Sequence, residues 1–311
     1  MLKKFFSIIL FCCSIFAYKI SDFSDPISVS FDEISICGEF IVFANKKGVF
    51  VVDSKNSIKK ICEKNKGNVV PKIFANNSNV FINTCDGSFE SYDYNGNLVF
   101  SRNLNGVSRS NIVSDKNTGN IIFALTNQML VCYSNLGELL WINKKFLTYN
   151  KFLKQKLLLN DRVYFLNNLG LSIVDKYLVD FDYRFVDSKF LVLKNSKDLY
   201  ISGNKIVFIS DDKNYYVDKK TQQINEYEKN TLFIDGVLIK NICYKNVQFL
   251  QDNFRFFGNI AFAFSGNVLA IITKDKIEYR ELKFKIKDIF YNDETLVISD
   301  GSSFIKAQIS F

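Results

Sequence analysis

Short apolar runs alternate with polar turns along most of the chain, and one pairing of them recurs. Ile41-Val42-Phe43 passes through Lys46-Lys47-Gly48 into the apolar run 49–52 and ends at Asp53. Val80-Phe81-Ile82 passes through Cys85-Asp86-Gly87 into 89–93, and Ile121-Ile122-Phe123 through Thr126-Asn127-Gln128 into 129–134. Val163-Tyr164-Phe165 and Ile206-Val207-Phe208 open two more copies, which end at Asp175 and Asp218. Phe43, Phe81, Phe123, Phe165 and Phe208 are separated by 38, 42, 42 and 43 residues. Alternation, β-branched and aromatic enrichment, and frequent turns specify short antiparallel strands.

A period of about forty residues holds four such strands, which is one propeller blade. A lone blade has two apolar faces, and radial packing of blades covers both. Helical solenoids share the period but need 3.6-residue periodicity, and the longest ambiguous stretch, 146–159, holds one helical turn at most. Two irregular copies follow. Leu269-Ala270-Ile271-Ile272 turns at 274–276 into Ile277-Glu278-Tyr279, and Leu296-Val297-Ile298 turns at Asp300-Gly301 into 304–307. Phe208 to Ile271 is 63 residues, about twenty more than the period. The surplus falls on 232–239, whose central Asp235-Gly236 suits a two-residue hairpin turn. The last copy holds about three strands, and the alternating segment 18–31 is placed to supply its outer strand. The expectation is an all-β chain, a β-propeller of seven four-stranded blades over 18–311, with six or eight as the alternatives.

Composition narrows the chemistry. The 311 residues contain no histidine, which removes Ser-His-Asp and Cys-His catalysis, HExxH zinc sites and histidine-bound haem. Hydrophobic residues make up 48%, enough for a core and too many for a disordered chain. Residues 1–17 read as a signal peptide: Lys3 and Lys4, the apolar run 5–11, then Ser14-Ile15-Phe16-Ala17 before a cleavage point. Export to the periplasm follows, with lipid anchoring at Cys12 or Cys13 as the alternative. Cys37, Cys62, Cys85, Cys132 and Cys243 remain, an odd number without CxxC spacing, and read as small buried hydrophobes.

The order strand, turn, strand, Asp, turn, Gly and an aromatic resembles the PQQ-like β-propeller repeat. The fullest copy runs from Ile121 to Trp141 and ends Leu136-Gly137-Glu138-Leu139-Leu140-Trp141. A second ends Tyr94-Asn95-Gly96-Asn97-Leu98-Val99-Phe100. The resemblance covers most of the chain in period and about two blades in motif. Quinoprotein dehydrogenases of that family use adjacent cysteines beside their cofactor, and here the only adjacent pair is Cys12-Cys13 in the signal segment. The resemblance therefore implies the non-catalytic, BamB-like branch linked to outer-membrane assembly, with no cofactor.

Several constellations bear on chemistry. Asp53, Asp93, Asp175 and Asp218 share one phase of the repeat, which suits turn capping better than a ring of cation ligands. Asp180, Asp182, Asp211 and Asp212, with Arg109, Arg184 and Arg255, are the candidates for a carboxylate site at the central mouth. Lys283, Lys285 and Lys287 alternate with Leu282, Phe284 and Ile286 as in a strand with one wet face. The basic run 144–156 carries interleaved aromatics, and an exported protein meets lipid headgroups or acidic partners rather than nucleic acid. The reading is a non-enzymatic periplasmic scaffold for protein–protein interaction in a bacterial envelope assembly. Protein partners come first, and the membrane surface is a second contact. Candidate contacts are Lys144, Lys145, Phe146, Tyr149, Lys151, Phe152 and Lys154 in the basic run, and Phe233, Asp235 and Gly236 in the insertion. The alternative is a propeller enzyme, or a small-ligand or sugar-binding protein, using the central mouth.

Overall fold

The recurrent phenylalanines explain the architecture. Phe43, Phe81, Phe123, Phe165 and Phe208 all lie on the second strand of a four-stranded antiparallel sheet, and none exposes more than 3% of its surface. Such a strand has a neighbour sheet on each face, so it reads as a continuous apolar run. All four residues of Ile121–Ala124 and all five of Thr295–Ser299 are buried. The computed structural model describes residues 19–310 apart from 64–69, 85, 105, 109, 127–128, 144–155, 168–169, 178–182, 186–191, 194–195, 212, 230 and 241.

Seven four-stranded sheets form the blades of a β-propeller. From axis to rim, blade one is Glu33–Cys37, Phe40–Asn45, Gly48–Val52 and Ile58–Cys62. Blade two is Lys72–Ala75, Asn79–Asn83, Ser88–Asp93 and Leu98–Asn103. Blade three is Val113–Ser114, Ile121–Ala124, Leu130–Tyr133 and Leu139–Asn143; blade four is Leu157–Leu159, Arg162–Asn167, Gly170–Asp175 and Tyr183–Phe185. Blade five is Asp198–Ser202, Lys205–Ile209, Asn214–Asp218 and Ile224–Tyr227. Blade six is Phe254–Phe257, Ile260–Ser265, Val268–Ile272 and Ile277–Glu281. Blade seven joins the two ends of the chain: Asp288–Asn292, Thr295–Ser299, Phe304–Ser310 and, outermost, Lys19–Ile20. Lys19 pairs with Ser310 and Ile20 with Ile309, and Ile27 exchanges backbone hydrogen bonds with Phe304 at 2.8 and 3.1 Å. The segment expected to close the ring does so.

The core is a circle of inter-blade clusters. Val42, Val49 and Val51 of blade one meet Ile73, Val80 and Ile82 of blade two. Phe89 touches Phe123 and Tyr133 of blade three at ring-centroid distances of 5.0 and 5.2 Å. Blade seven meets blade one through Val297, Phe304, Phe43 and Val52. The Gly-x-x-x-aromatic motif works at the rim. Gly137, at φ +80°, carries no side chain because a Cβ there would lie 2.6 Å from the Phe100 ring of the preceding blade. Trp141 in turn donates from Nε1 to the Lys176 carbonyl of the next blade at 3.2 Å.

Two sequence expectations need correction. The stretch 269–279 supplies the third and outer strands of blade six, not the second and third. Phe262, fully buried on Ile260–Ser265, is the sixth member of the phenylalanine series. Lys283, Lys285 and Lys287 are exposed and Ile286 is buried as expected, but 282–287 is no strand. It crosses from the rim of blade six to the axis of blade seven, tied by Leu282 N–H to the Asn267 carbonyl and Ile286 N–H to the Gly266 carbonyl.

Candidate functional site

Antiparallel order within each blade fixes two faces of the disc. Blade-to-blade connections and turns between second and third strands share one face; the other two turns of each blade lie opposite. Most inner strands begin at the axis on the connection face with a polar group held by a neighbouring blade. Lys72 pairs with Glu33, Lys156 with Asp198 at 2.7 Å, and Arg255 Nε with Asp288 Oδ1 at 2.7 Å. Asn111 does the same without charge: it donates to the Leu157 carbonyl at 3.0 Å and accepts its N–H at 2.7 Å. These groups tie blade one to two, three to four, four to five and six to seven.

On the opposite face the mouth is crossed by Lys116 of blade three, 3.6 Å from Asp293 of blade seven. A cavity of about 640 Å³ opens beside this pair, between Phe257, Tyr291 and Glu294. Burial, then the Glu294 and Asp293 carboxylates, push the Tyr291 hydroxyl up to about 12.

The recurring aspartates are turn caps. Asp53 Oδ1 accepts the N–H groups of Lys55 and Ser57, both at 2.9 Å. Asp93 Oδ1 accepts from Asn95 and Asn97, Asp175 from Tyr177, and Asp218 from Lys220 and Thr221. Of the candidate catalytic groups, Asp211 pairs with Lys197 at 2.5 Å and Arg255 with Asp288. Asp180, Asp182, Asp212 and Arg109 lie outside the described residues, as does the side chain of Arg184. Among the described residues no three Cys, Asp or Glu side chains converge as a metal site. Cys37, Cys62 and Cys132 are buried, and burial first raises the Cys132 thiol to about 12.

The largest departure from the repeat lies between blades five and six. Two hairpins, Leu232–Ile234 with Val237–Ile239 and Cys243–Tyr244 with Val247–Gln248, occupy this connection. Asp235 (φ 47°) and Gly236 (φ 86°) form the expected tight turn of the first. Leu232, Phe233 and Ile234 are all buried, and Phe233 joins Tyr200, Val207 and Tyr227 in the seam between the blades. Phe233 thus packs in the core. The turn reaches the far face, where Asp235 N–H is 2.6 Å from Ser202 Oγ and its carboxylate 3.4 Å from Lys274. Asp235 and Gly236 are both exposed, and a Cβ at Gly236 would have nothing within 4 Å. Lys144, Lys145, Phe146, Tyr149, Lys151, Phe152 and Lys154 lie outside the described residues.

On the connection face the two hairpins leave an open groove of about 470 Å³. Ile242, Phe249 and Phe254 line its floor, and Lys229, Lys240 and Lys245 stand at its edge with Glu228. Lys240 pairs with Glu228 at 2.7 Å and Lys245 with Glu281 at 2.7 Å. Among the described residues, Lys229 donates only to the Asp211 carbonyl. Sequence reasoning reached the insertion but not this groove, because its edge is assembled from 228–229, 240–249 and the start of blade six.

No family model matches the chain, and no curated protein sequence does. Solved structures match the fold. BamB from Moraxella catarrhalis aligns with a TM-score of 0.53 at 11% identity, over 88% of this chain and 84% of that one. A chain of the mitotic checkpoint complex aligns at 0.58 and 8% identity, over 94% and 92%. PorZ, a bacterial surface component of the type-IX secretion system of Porphyromonas gingivalis, aligns at 0.56 and 13% identity, over 91% of this chain and 37% of that one. At these identities the likeness establishes a β-propeller that such proteins share.

Proposed function

We propose that the protein is a non-enzymatic β-propeller scaffold of the bacterial envelope, exported to the periplasm and gripping a protein partner from its connection face. One observation carries this. The described charged groups at the connection-face mouth hold neighbouring blades together, whereas the 228–253 insertion leaves its groove open to solvent. A rigid disc with one variable connection suits recognition better than chemistry. Fold likeness to BamB and to PorZ, a component of the bacterial surface, supports the compartment, and the motif at Gly137 and Trp141 supports the PQQ-like branch.

The test has two parts. Mass spectrometry of protein from the periplasmic fraction is expected to give a mature N-terminus near Tyr18; an intact Met1 chain in the cytoplasm overturns the compartment. Affinity isolation from envelope fractions is expected to recover a defined protein in stoichiometric amount, and its absence overturns the scaffold. The cavity between Phe257, Tyr291 and Glu294 favours a second reading, a small-ligand site at the opposite mouth. Thermal stabilisation by a sugar or amine, lost in Tyr291→Ala, would favour it over the first.

A further inference from the structure

We infer that the groove between the two hairpins of the insertion seats an extended, acidic segment of the partner protein. This deepens the scaffold reading and rests on it. Three lysines and one glutamate line the groove, so its edge carries an excess of positive charge. Two of those lysines have carboxylate partners, Glu228 and Glu281. Lys229 has none among the described residues: its ammonium meets a backbone carbonyl, and the Asp211 carboxylate next to it is taken by Lys197 at 2.5 Å. An ammonium with no carboxylate partner among the described residues, above an apolar floor, is complementary to a carboxylate next to apolar side chains.

The shape agrees with the charge. Ile242, Phe249 and Phe254 are each at most 6% exposed, so the floor is a finished wall that a ligand covers without rearranging it. Its volume, about 470 Å³, takes a few side chains rather than a domain. An extended chain presents side chains alternately to two sides, which places apolar groups on the floor and acidic ones against the lysines at the edge. Cys243 lines the same groove, exposed and free, and reports on occupancy.

The probe is a fluorescein-labelled peptide alternating Glu and Leu, titrated by anisotropy into the chain from Tyr18 to Phe311. The expected result is saturable binding that weakens as salt rises and falls at least tenfold in the triple variant Lys229→Gln, Lys240→Gln, Lys245→Gln. The peptide is expected to protect Cys243 from alkylation, read by mass spectrometry of that site. A control variant with Lys283, Lys285 and Lys287 changed to Gln removes the same charge elsewhere and is expected to bind as wild type does. No binding to wild type, equal loss in the control variant, or unprotected Cys243 each overturns the inference. So does binding to phosphatidylglycerol vesicles through the same lysines without peptide binding. A groove that binds the peptide while envelope isolation yields no partner overturns the scaffold reading and leaves the groove's chemistry standing.

Discussion

Single residues carry the contacts between blades. Gly137 sits at φ +80° with the Phe100 ring where a Cβ would be, so Gly137→Ala meets both a backbone penalty and a clash. The expected cost is about 2–3 kcal/mol in chemical denaturation. Gly236→Ala, at φ +86° with open space around it, meets the backbone penalty alone and is expected to cost about 1–2 kcal/mol. Equal costs at the two sites would contradict this view of the packing. Lys176 and Asp115 form an ion pair at 3.1 Å with side chains only 9% and 7% exposed, tying blade four to blade three. Asp115→Ala leaves a buried ammonium without this carboxylate and is expected to cost about 3 kcal/mol, with much of it recovered in Asp115→Ala/Lys176→Met. Burial raises the Asp115 carboxyl, but the Asn117 N–H and Lys176 outweigh it and the net shift is downward. A depressed folded-state value gives stability that is full above about pH 4, where the unfolded carboxyl ionises, and is lost as pH falls through the lower folded value. Thermal midpoints of wild type are therefore expected to fall more steeply than those of the double variant below about pH 4.

At the scale of elements, the regular part of the fold was legible and the irregular part was not. The phenylalanine spacing worked because a strand covered on both faces must be apolar throughout, and each blade needs one large side chain at the same depth. The Asp235-Gly236 turn was legible because two successive positive φ angles leave few residue choices. The phase of blade six was not, because the insertion sets Phe262 out of step with Phe208. The role of Phe233 was hidden for a related reason. A strand wedged between blades has the same composition as an exposed hairpin, and only packing against Tyr200 and Tyr227 tells them apart. The groove edge was illegible because Lys229, Lys240 and Lys245 are far enough apart in sequence to look like scattered surface charge. Closure by the N-terminal strand belongs to this scale as well. Without residues 19–30 the outer edge of blade seven loses its pairing with Phe304–Ser310. That truncation is expected to lower the thermal midpoint by at least about 5 °C, and an unchanged melt would mean the ring does not depend on closure.

For the molecule as a whole, a +8 chain spends many of its charges on pairing across blades and, among the described residues, keeps one lysine without a carboxylate partner at an open groove. On the reading proposed above, recognition takes place where the repeat is broken, at the insertion, and not at the axis. Site-specific photo-crosslinking in living cells separates the two, with the crosslinker placed at Val247 in the groove and, in parallel, at Tyr291 in the opposite mouth. One defined envelope protein is expected to be captured from Val247, to be lost in the triple lysine variant, and to be absent from Tyr291. Capture from Tyr291 alone, or capture from Val247 that persists without the three lysines, would contradict recognition at the insertion.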